Sequence, residues 1–271
     1  MCYRRPVRPA PVALTIAGSD PTGGAGLQAD LATFAAFGVH GASVATALTA
    51  QDTRGVRALA AVTAEFVAAQ LDAVLGDLDV RAAKTGMLHR AAVVEAVADR
   101  LKARPEIPLV VDPVAAASDR SVLLDSPGVD ALRTHLLPRA ALVTPNLREA
   151  ELLTRRPVRG LADMRDAARA LVDLGARAAL VKGGHLAGDA VDVLDDGREA
   201  RELRSSRVAV EPVHGTGCAL SAAITAGLAA GRDLADAVAR VKRFVTRAIA
   251  AAAALGHGAR VLDLRVRPDD V

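Results

Sequence analysis

The feature that most constrains this chain is a repeated alternation of short apolar runs with helix-period segments. VALTIA (12–17), ASVATAL (42–48), RAAKTG (81–86), LVVDPV (109–114), AALVTPN (140–146) and AALVKGG (178–184) are all strand-length and rich in Val, Leu, Ile and Ala. Runs this nearly continuous predict strands buried on both faces, as in a parallel sheet. Between them AGLQADLATFAAFG, AEFVAAQLDAVLGDL, RAAVVEAVADRLKA and LADMRDAARALVDLG carry apolar residues at helical period, several opened by a capping residue and closed by Gly. Strand then helix, repeated, predicts a doubly wound α/β sheet. Asp196-Gly197 between two extended runs predicts a hairpin at an antiparallel edge, and from Gly215 onward the chain reads as nearly all helix. No repeat at solenoid spacing and no long linker divides it, so residues 12–271 read as one domain behind a flexible tail over 1–11.

Composition narrows the function classes. Half the residues are apolar (51%) but only 2% are aromatic, so the core must be built from Ala, Val and Leu. No apolar run approaches the ~18 residues of a membrane span, and the basic amino terminus leads into a strand and not into an export signal. Cys2 and Cys218 cannot build a disulfide framework, which fits a reducing compartment and predicts a cytoplasmic protein. A net charge of +3 with dispersed Arg and few aromatics argues against a nucleic acid partner. The 34 basic residues include four lysines, Lys84, Lys102, Lys182 and Lys242, which raises the question of what a compact ammonium does at each.

In open α/β sheets ligands bind beyond the carboxyl ends of the strands. Polar and Gly-rich punctuation falls there six times: GSDPTGGAGLQAD, TAQDT, TGML, DPV, PNLREAE and KGGH. The sharpest segment is His214-Gly215-Thr216-Gly217-Cys218, running directly into ALSAAITAGL. A Gly-Thr-Gly turn entering a helix presents free backbone N–H groups at the positive end of the helix dipole, a cradle for a phosphate or oxyanion. That position is also expected to lower the pKa of Cys218. The plainer reading is a tight packing turn followed by a small buried Cys.

Asp112, with Asn146 and Glu149 at the start of the next helix, can hold magnesium against nucleotide phosphates, mostly through water. Alternatively these are caps and first-turn helix charges. Lys182 and Lys242 can neutralise phosphate charge, or be solvated surface lysines, although Lys182 and Lys84 end apolar strands. The chain has no GxxxxGK[ST]. Gly24 to Ala29 satisfies the loose dinucleotide fingerprint GxGxxA, which makes an NAD-dependent oxidoreductase a rival class. The six histidines lack metal-ligand spacing.

Taken together and in order, GSDPTGGAGLQADL, TALTAQDT, KTGML, VVDPV, TPNLREAELL, VKGGH and HGTGCALSAA resemble the hydroxymethylpyrimidine and phosphomethylpyrimidine kinases of the ribokinase-like superfamily, over residues 12 to about 255. The resemblance implies a three-layer ribokinase-like α/β fold, with a central mostly parallel sheet flanked by helices and no large lid domain. It also implies a homodimer using ATP and Mg2+ on a small-molecule substrate of thiamine biosynthesis. Pyridoxal kinase is the nearest alternative, and a catalytically silent ligand-binding paralogue the non-enzyme one. Carried over residue by residue, Gly18, Asp30 and Gln51 would hold an aminopyrimidine ring between the apolar walls Met87 and Val114. Asp112 and Glu149 would organise magnesium, and Asn146, Lys182 and Lys242 would lie near ATP. Gly215, Thr216 and Gly217 would form the anion hole, and Cys218 stands where most ribokinase-like enzymes have an aspartate base. The chain departs from the family pattern after Val114, where Ala115, Ser118, Asp119 and Arg120 replace the usual Met and Lys/Thr-Ser-Gly run, and at its ending, GARVLDLRVRPDDV.

Overall fold

The computed structural model describes residues 9–116, 121–184, 186, 188–210 and 213–266. Most of the expected tail with Cys2, the divergent Ser118, Asp119 and Arg120, His185 and the last five residues lie outside the described residues.

In chain order the elements are β1 (Val12–Ser19), α1 (Gly26–Ala36), β2 (His40–Asp52), β3 (Gly55–Ala61), α2 (Ala64–Asp77), β4 (Val80–Thr85), α3 (Ala91–Lys102) and β5 (Leu109–Val111). Then come α4 (Ser126–Ala131), continued by a π turn and a 3-10 turn to Arg139, β6 (Leu142–Val143), α5 (Leu147–Thr154) and α6 (Leu161–Asp173). The last are β7 (Ala179–Lys182), β8 (Ala190–Asp195), β9 (Ala200–Ser205), β10 (Val213–His214), α7 (Thr216–Ala229), α8 (Leu234–Ala250) and β11 (Arg260–Val261). Nine strands form one sheet in the order β3-β2-β1-β4-β5-β6-β7-β8-β9. The inner strands β2, β1, β4, β5, β6 and β7 pair in parallel, and an antiparallel hairpin closes each edge. The mostly parallel α/β sheet and the Asp-Gly hairpin are therefore as expected. The chain winds outward from β1 to β2 and then returns to β4 on the other side of β1, so the switch point lies between β1 and β4.

Strand period sends alternate side chains to two cores. Leu14 and Ile16 of β1, with Val44, Leu109 and Val111, meet apolar residues of α2 through α6. Full burial of each such side chain is worth about 1.5–3 kcal/mol. Ala13 and Ala82 point the other way, onto Ala222 and Ala226 of α7. These small residues let α7 lie close against the sheet, and a helix apolar nearly all round, as α7 is, belongs in such a buried position. Ala222→Leu would overpack that seam, at a cost of about 1–3 kcal/mol. Among the described residues no helix is long and apolar enough to cross a membrane.

Two features differ from the sequence reading. β2 is longer than its apolar core and turns back as β3, whose residues are half-buried or exposed at the sheet edge. The segment after Gly215 is not all helix: β11 pairs with β10, and the chain before it holds the β2–β3 turn, where Gly258 and Ala259 donate to the Thr53 hydroxyl (3.0 Å) and carbonyl (2.8 Å).

Candidate functional site

The carboxyl ends of β4, β5, β6 and β7 meet the amino terminus of α7, and charged side chains from each converge there. Asp112, which follows β5 and is only 1% exposed, takes the Lys182 ammonium (3.2 Å) and the Thr144 hydroxyl (3.3 Å) on one carboxylate oxygen and the Ser221 hydroxyl (3.1 Å) on the other. A buried carboxylate with this many donors is held in one orientation. Asn146 caps α5 in a reciprocal box: its side chain accepts from the Glu149 N–H (3.0 Å), and Glu149 accepts from the Asn146 N–H (2.7 Å). Burial pushes the Glu149 carboxyl up to about 7, with Lys182 opposing the rise and Asp112 adding to it. Asn146 also bridges to Lys182 across the strand ends. Lys242, on α8, pairs instead with Asp192 (2.7 Å), whose other oxygen accepts from the Gly183 N–H (3.1 Å). It secures the start of the β7–β8 turn.

Gly215 opens α7 at φ +83, and a Cβ there would lie 1.8 Å from the Gly24 carbonyl oxygen, so this turn admits Gly alone. The Gly-rich loop after β1 packs against it in turn: a Cβ on Gly26 would lie 2.3 Å from the Gly18 carbonyl. The glycines of the apparent dinucleotide fingerprint thus serve loop-to-loop packing. A Cβ on Gly217 would come 3.1 Å from the Lys182 ammonium and 3.9 Å from Asp112, which places the Gly-Thr-Gly turn over that pair.

Cys218 corrects the sequence reading. Its thiol is pushed up to about 11, because burial outweighs the nearby Lys84 ammonium, and Asp30 and Asp112 add to the rise. The helix terminus does not make it a ready thiolate. Asp30 is likewise placed differently from the expected ring contact. It is fully buried, taking the Lys84 ammonium (2.7 Å) and the Thr15 hydroxyl (2.6 Å) on the same oxygen. Its other oxygen has no hydrogen-bond partner. Burial pushes the Asp30 carboxyl up against the pull of Lys84. Burial would lower the Lys84 pKa, but Asp30, Cys218 and Asp112 outweigh it and raise it, so the ammonium stays charged. Asp30 therefore acts beneath the site, as the counter-ion of Lys84.

Across the switch point lies a softer rim. Met87 packs with Ala47, Leu123, Leu59 and Val114, which makes the two expected apolar walls one cluster. Gly18 faces it: a Cβ there would lie 2.2 Å from the Met87 methyl. Gln51, at the end of β2, approaches His214 (2.9 Å), and His214 Nε2 also lies 3.2 Å from Asp20. Burial alone would push the Asp20 carboxyl up, but hydrogen bonds from His214 and Thr22 hold it below its ordinary value. A cavity of about 340 Å3 opens beside this rim, lined by Thr22, Asp52, Arg57 and His257 among others.

The structure thus brings together Asp112, Glu149, Asn146, Lys182 and the Gly215–Cys218 turn, separately Gly18, Met87 and Val114, and sets Gln51 against His214. Lys242 and Asp30 stand one layer back. Sequence reasoning passed over Asp20 and Ser221. Asp20 stood inside a Gly-rich loop whose polar character was visible, whereas Ser221 offered only its spacing of three from Cys218 on a helix.

Among the described residues no three His, Cys, Asp or Glu side chains could hold a metal ion by themselves. Asp112 and Glu149 make a two-carboxylate set, and a carboxyl raised to about 7 ionises readily beside a divalent cation. That donor set fits magnesium, which keeps several waters and takes one or two carboxylates plus substrate phosphates.

A family model described as phosphomethylpyrimidine kinase matches residues 20–263. The hydroxymethylpyrimidine/phosphomethylpyrimidine kinase of Streptomyces coelicolor is 49% identical over 258 residues, 95% of both chains. That of Rhizobium meliloti is 52% identical over 249 residues, covering 91% of this chain and 93% of its own. Among solved structures, an ADP complex of Bacillus subtilis pyridoxal kinase superposes with a TM-score of 0.87 at 35% identity, covering 94% of this chain and 97% of that one.

Proposed function

The chain belongs to the phosphomethylpyrimidine kinase family and is a ribokinase-like phosphotransferase, and on that premise we propose how its residues divide the work. The acceptor is 4-amino-5-hydroxymethyl-2-methylpyrimidine, its monophosphate, or both in turn, with the diphosphate as the end product in thiamine biosynthesis. The observation that carries this reading is the convergence of Asp112, Lys182 and the Gly215–Gly217 turn at one end of the sheet, beside the apolar cluster of Met87 and Val114.

The acceptor ring lies between Met87 and Val114, with Gln51 on its polar edge, and Gly18 leaves room for the Met87 methyl. ATP lies along the ends of β6 and β7, by Asn146 and Lys182. An acceptor oxygen attacks the γ-phosphorus in line, the bond to the β,γ-bridging oxygen breaks, and ADP leaves. Backbone N–H groups of the Gly215–Gly217 turn and the Lys182 ammonium face the charge on the transferred group, where fixed donors in a dry site act most strongly. Magnesium, held by Asp112 and Glu149, would supply charge neutralisation on the phosphates. A monophosphate arrives ionised and needs no proton removed, whereas a carbinol must lose one. Cys218, protonated at neutral pH in the free protein, can hydrogen-bond the acceptor oxygen but is no standing base.

ADP release from ATP and magnesium, with hydroxymethylpyrimidine, its monophosphate and pyridoxal supplied separately, tests the assignment. Turnover of either pyrimidine supports it. Turnover of pyridoxal alone moves the chain to the second reading, which the likeness to the Bacillus pyridoxal kinase favours. ATP binding without turnover of any acceptor would make it a silent paralogue.

The enzyme works as a homodimer in the cytoplasm. The exposed Leu48 on β2 and Phe66 on α2, 54% and 61% exposed, lie beside an edge hairpin that a second copy would cover. Sedimentation of the wild type and Leu48→Glu checks this: the wild type runs as a dimer and the variant shifts toward monomer.

A further inference from the structure

His214 is seated by packing before any ligand is considered. Its backbone pairs with Val261 across β10 and β11, and its ring lies over Gly24, where a Cβ would come 3.0 Å from the ring carbon Cδ2. One ring nitrogen, Nε2, faces two groups: Asp20 Oδ2 at 3.2 Å and the Gln51 carboxamide, placed with its Nε2 nearest, at 2.9 Å. Asp20 is committed as an ionised acceptor, since its oxygens also take the Thr22 N–H (2.9 Å), the Thr22 hydroxyl (2.9 Å) and the Ala25 N–H (3.0 Å). A bare ring nitrogen would set its lone pair against that carboxylate, so Nε2 carries a hydrogen whether or not the ring is charged. An amide nitrogen at that contact would set N–H against N–H, and the two ends of a carboxamide are assigned by their hydrogen bonds, so the group belongs half a turn over, with its oxygen toward His214.

That orientation completes the neighbouring bonds. As placed, the Thr49 hydroxyl lies 2.8 Å from the Ser19 carbonyl and 3.2 Å from Gln51 Oε1, two acceptors for one hydrogen; with the carboxamide turned over, the hydroxyl donates to Ser19 and accepts from the amide nitrogen. With the amide nitrogen on that side, Thr49 has one donor and one acceptor partner, and the single Nε2 hydrogen of His214 is shared between Asp20 and the amide oxygen. One carboxamide N–H remains uncommitted among the described residues.

We propose that Asp20 and His214 are positioning residues that fix the Gln51 carboxamide with its oxygen toward His214, so that the acceptor ring meets an N–H donor at Gln51 and a ring nitrogen with a free lone pair is selected. This rests on the assignment of Gln51 to the acceptor site made above. Asp20, His214 and Gln51 thereby read the acceptor together, although of these three Gln51 alone touches it. Both ring nitrogens of an aminopyrimidine can accept from such a donor.

Two measurements test this, and the first needs no turnover. In 15N-histidine NMR of the wild-type protein, His214 shows a protonated Nε2, while Asp20→Asn shifts the resonance toward the other tautomer; a bare Nε2 in the wild type overturns the proposal. Failure of the kinase assignment would leave that signal unaltered, so the two failures are distinguishable. In steady-state kinetics with the pyrimidine monophosphate, His214→Ala raises the acceptor KM roughly 10- to 100-fold, the range of one or two lost polar contacts, and leaves the ATP KM within about twofold. His214→Gln, whose amide can replace the Nε2 donor, recovers most of the loss. Equal effects on both KM values, or no recovery in His214→Gln, would mean that His214 is merely a packing residue.

Discussion

The two halves of the site are fixed by different means. At the proposed phosphoryl-transfer end, Asp112, Lys182, Glu149, Lys84 and Asp30 are buried or nearly so and hold one another in place, charge against charge. At the proposed acceptor rim, Gly18, Met87 and Val114 are placed by close packing and Gln51 by loops that clasp each other through His214 and Thr53. Removing a charge from the first set strands its partner in a low-dielectric interior, whereas trimming a rim side chain leaves a gap that neighbours or water can fill. The transfer machinery should therefore be intolerant and shared across acceptors, and the rim tolerant and discriminating.

Asp112→Ala is the severest way to break this contrast. It removes the carboxylate that the Lys182 ammonium hydrogen-bonds, and urea unfolding should report a loss of about 3–5 kcal/mol. Turnover should fall roughly 10²–10³-fold or more for every acceptor alike. The double variant with Lys182→Met should regain much of the stability and none of the activity, and a double variant as unstable as the single one would show that the pair is not the cause.

Gly215→Ala comes next, since it forces a side chain into left-handed backbone and against the Gly24 carbonyl. We expect about 1–3 kcal/mol of lost stability and a lower kcat with all acceptors. Intact kcat would remove the Gly-Thr-Gly turn from the transfer step.

The Glu149 carboxyl is raised from an ordinary value near 4.5 to about 7, so the folded protein binds its proton more tightly than the unfolded chain. Its contribution to stability is full below pH ~4.5 and is lost as pH rises toward about 7. Glu149→Gln should flatten the stability profile across that window, and in the wild type magnesium should bind more tightly as pH approaches 7. A profile identical in the variant would contradict the assignment.

At the rim, Gly18→Ala should displace the Met87 methyl and raise the acceptor KM about tenfold while kcat holds. A fall in kcat without a change in KM would place Gly18 in the transfer machinery instead. The smallest effect belongs to Cys218→Ala with the monophosphate, where we expect a loss within about tenfold and a larger one with the carbinol, which must shed a proton. Equal losses with the two acceptors would restore Cys218 as a general participant. Iodoacetamide should alkylate Cys218 slowly at neutral pH and faster as pH approaches 11.

Much of this fold is legible in the sequence because nearly continuous apolar runs leave little choice but a sheet covered on both faces. β3 escapes that reading: Gly55–Ala61 sits at an edge, half exposed, with small side chains and no strong alternation. The short pair of β10 with β11 carries no local signal at all. In the site, the Gly-Thr-Gly turn and the capping box of Asn146 and Glu149 are local and could be read directly. The bonds of Asp30 with Lys84 and of Asp112 with Ser221 span 54 and 109 positions, and strand order, which no local pattern encodes, creates them. Cys218 misled for a related reason. A helix terminus is visible in the sequence, but the desolvation that outweighs it, and the Asp30 and Asp112 carboxyls that add to it, are brought there by strand and helix order.

The most direct test of the central claim is 31P NMR of the wild-type protein with ATP, magnesium and hydroxymethylpyrimidine monophosphate. The predicted result is loss of the monophosphate signal in step with ATP, replaced by ADP and two coupled resonances of a pyrimidine diphosphate. ATP converted only to ADP and inorganic phosphate, with the monophosphate untouched, would contradict it.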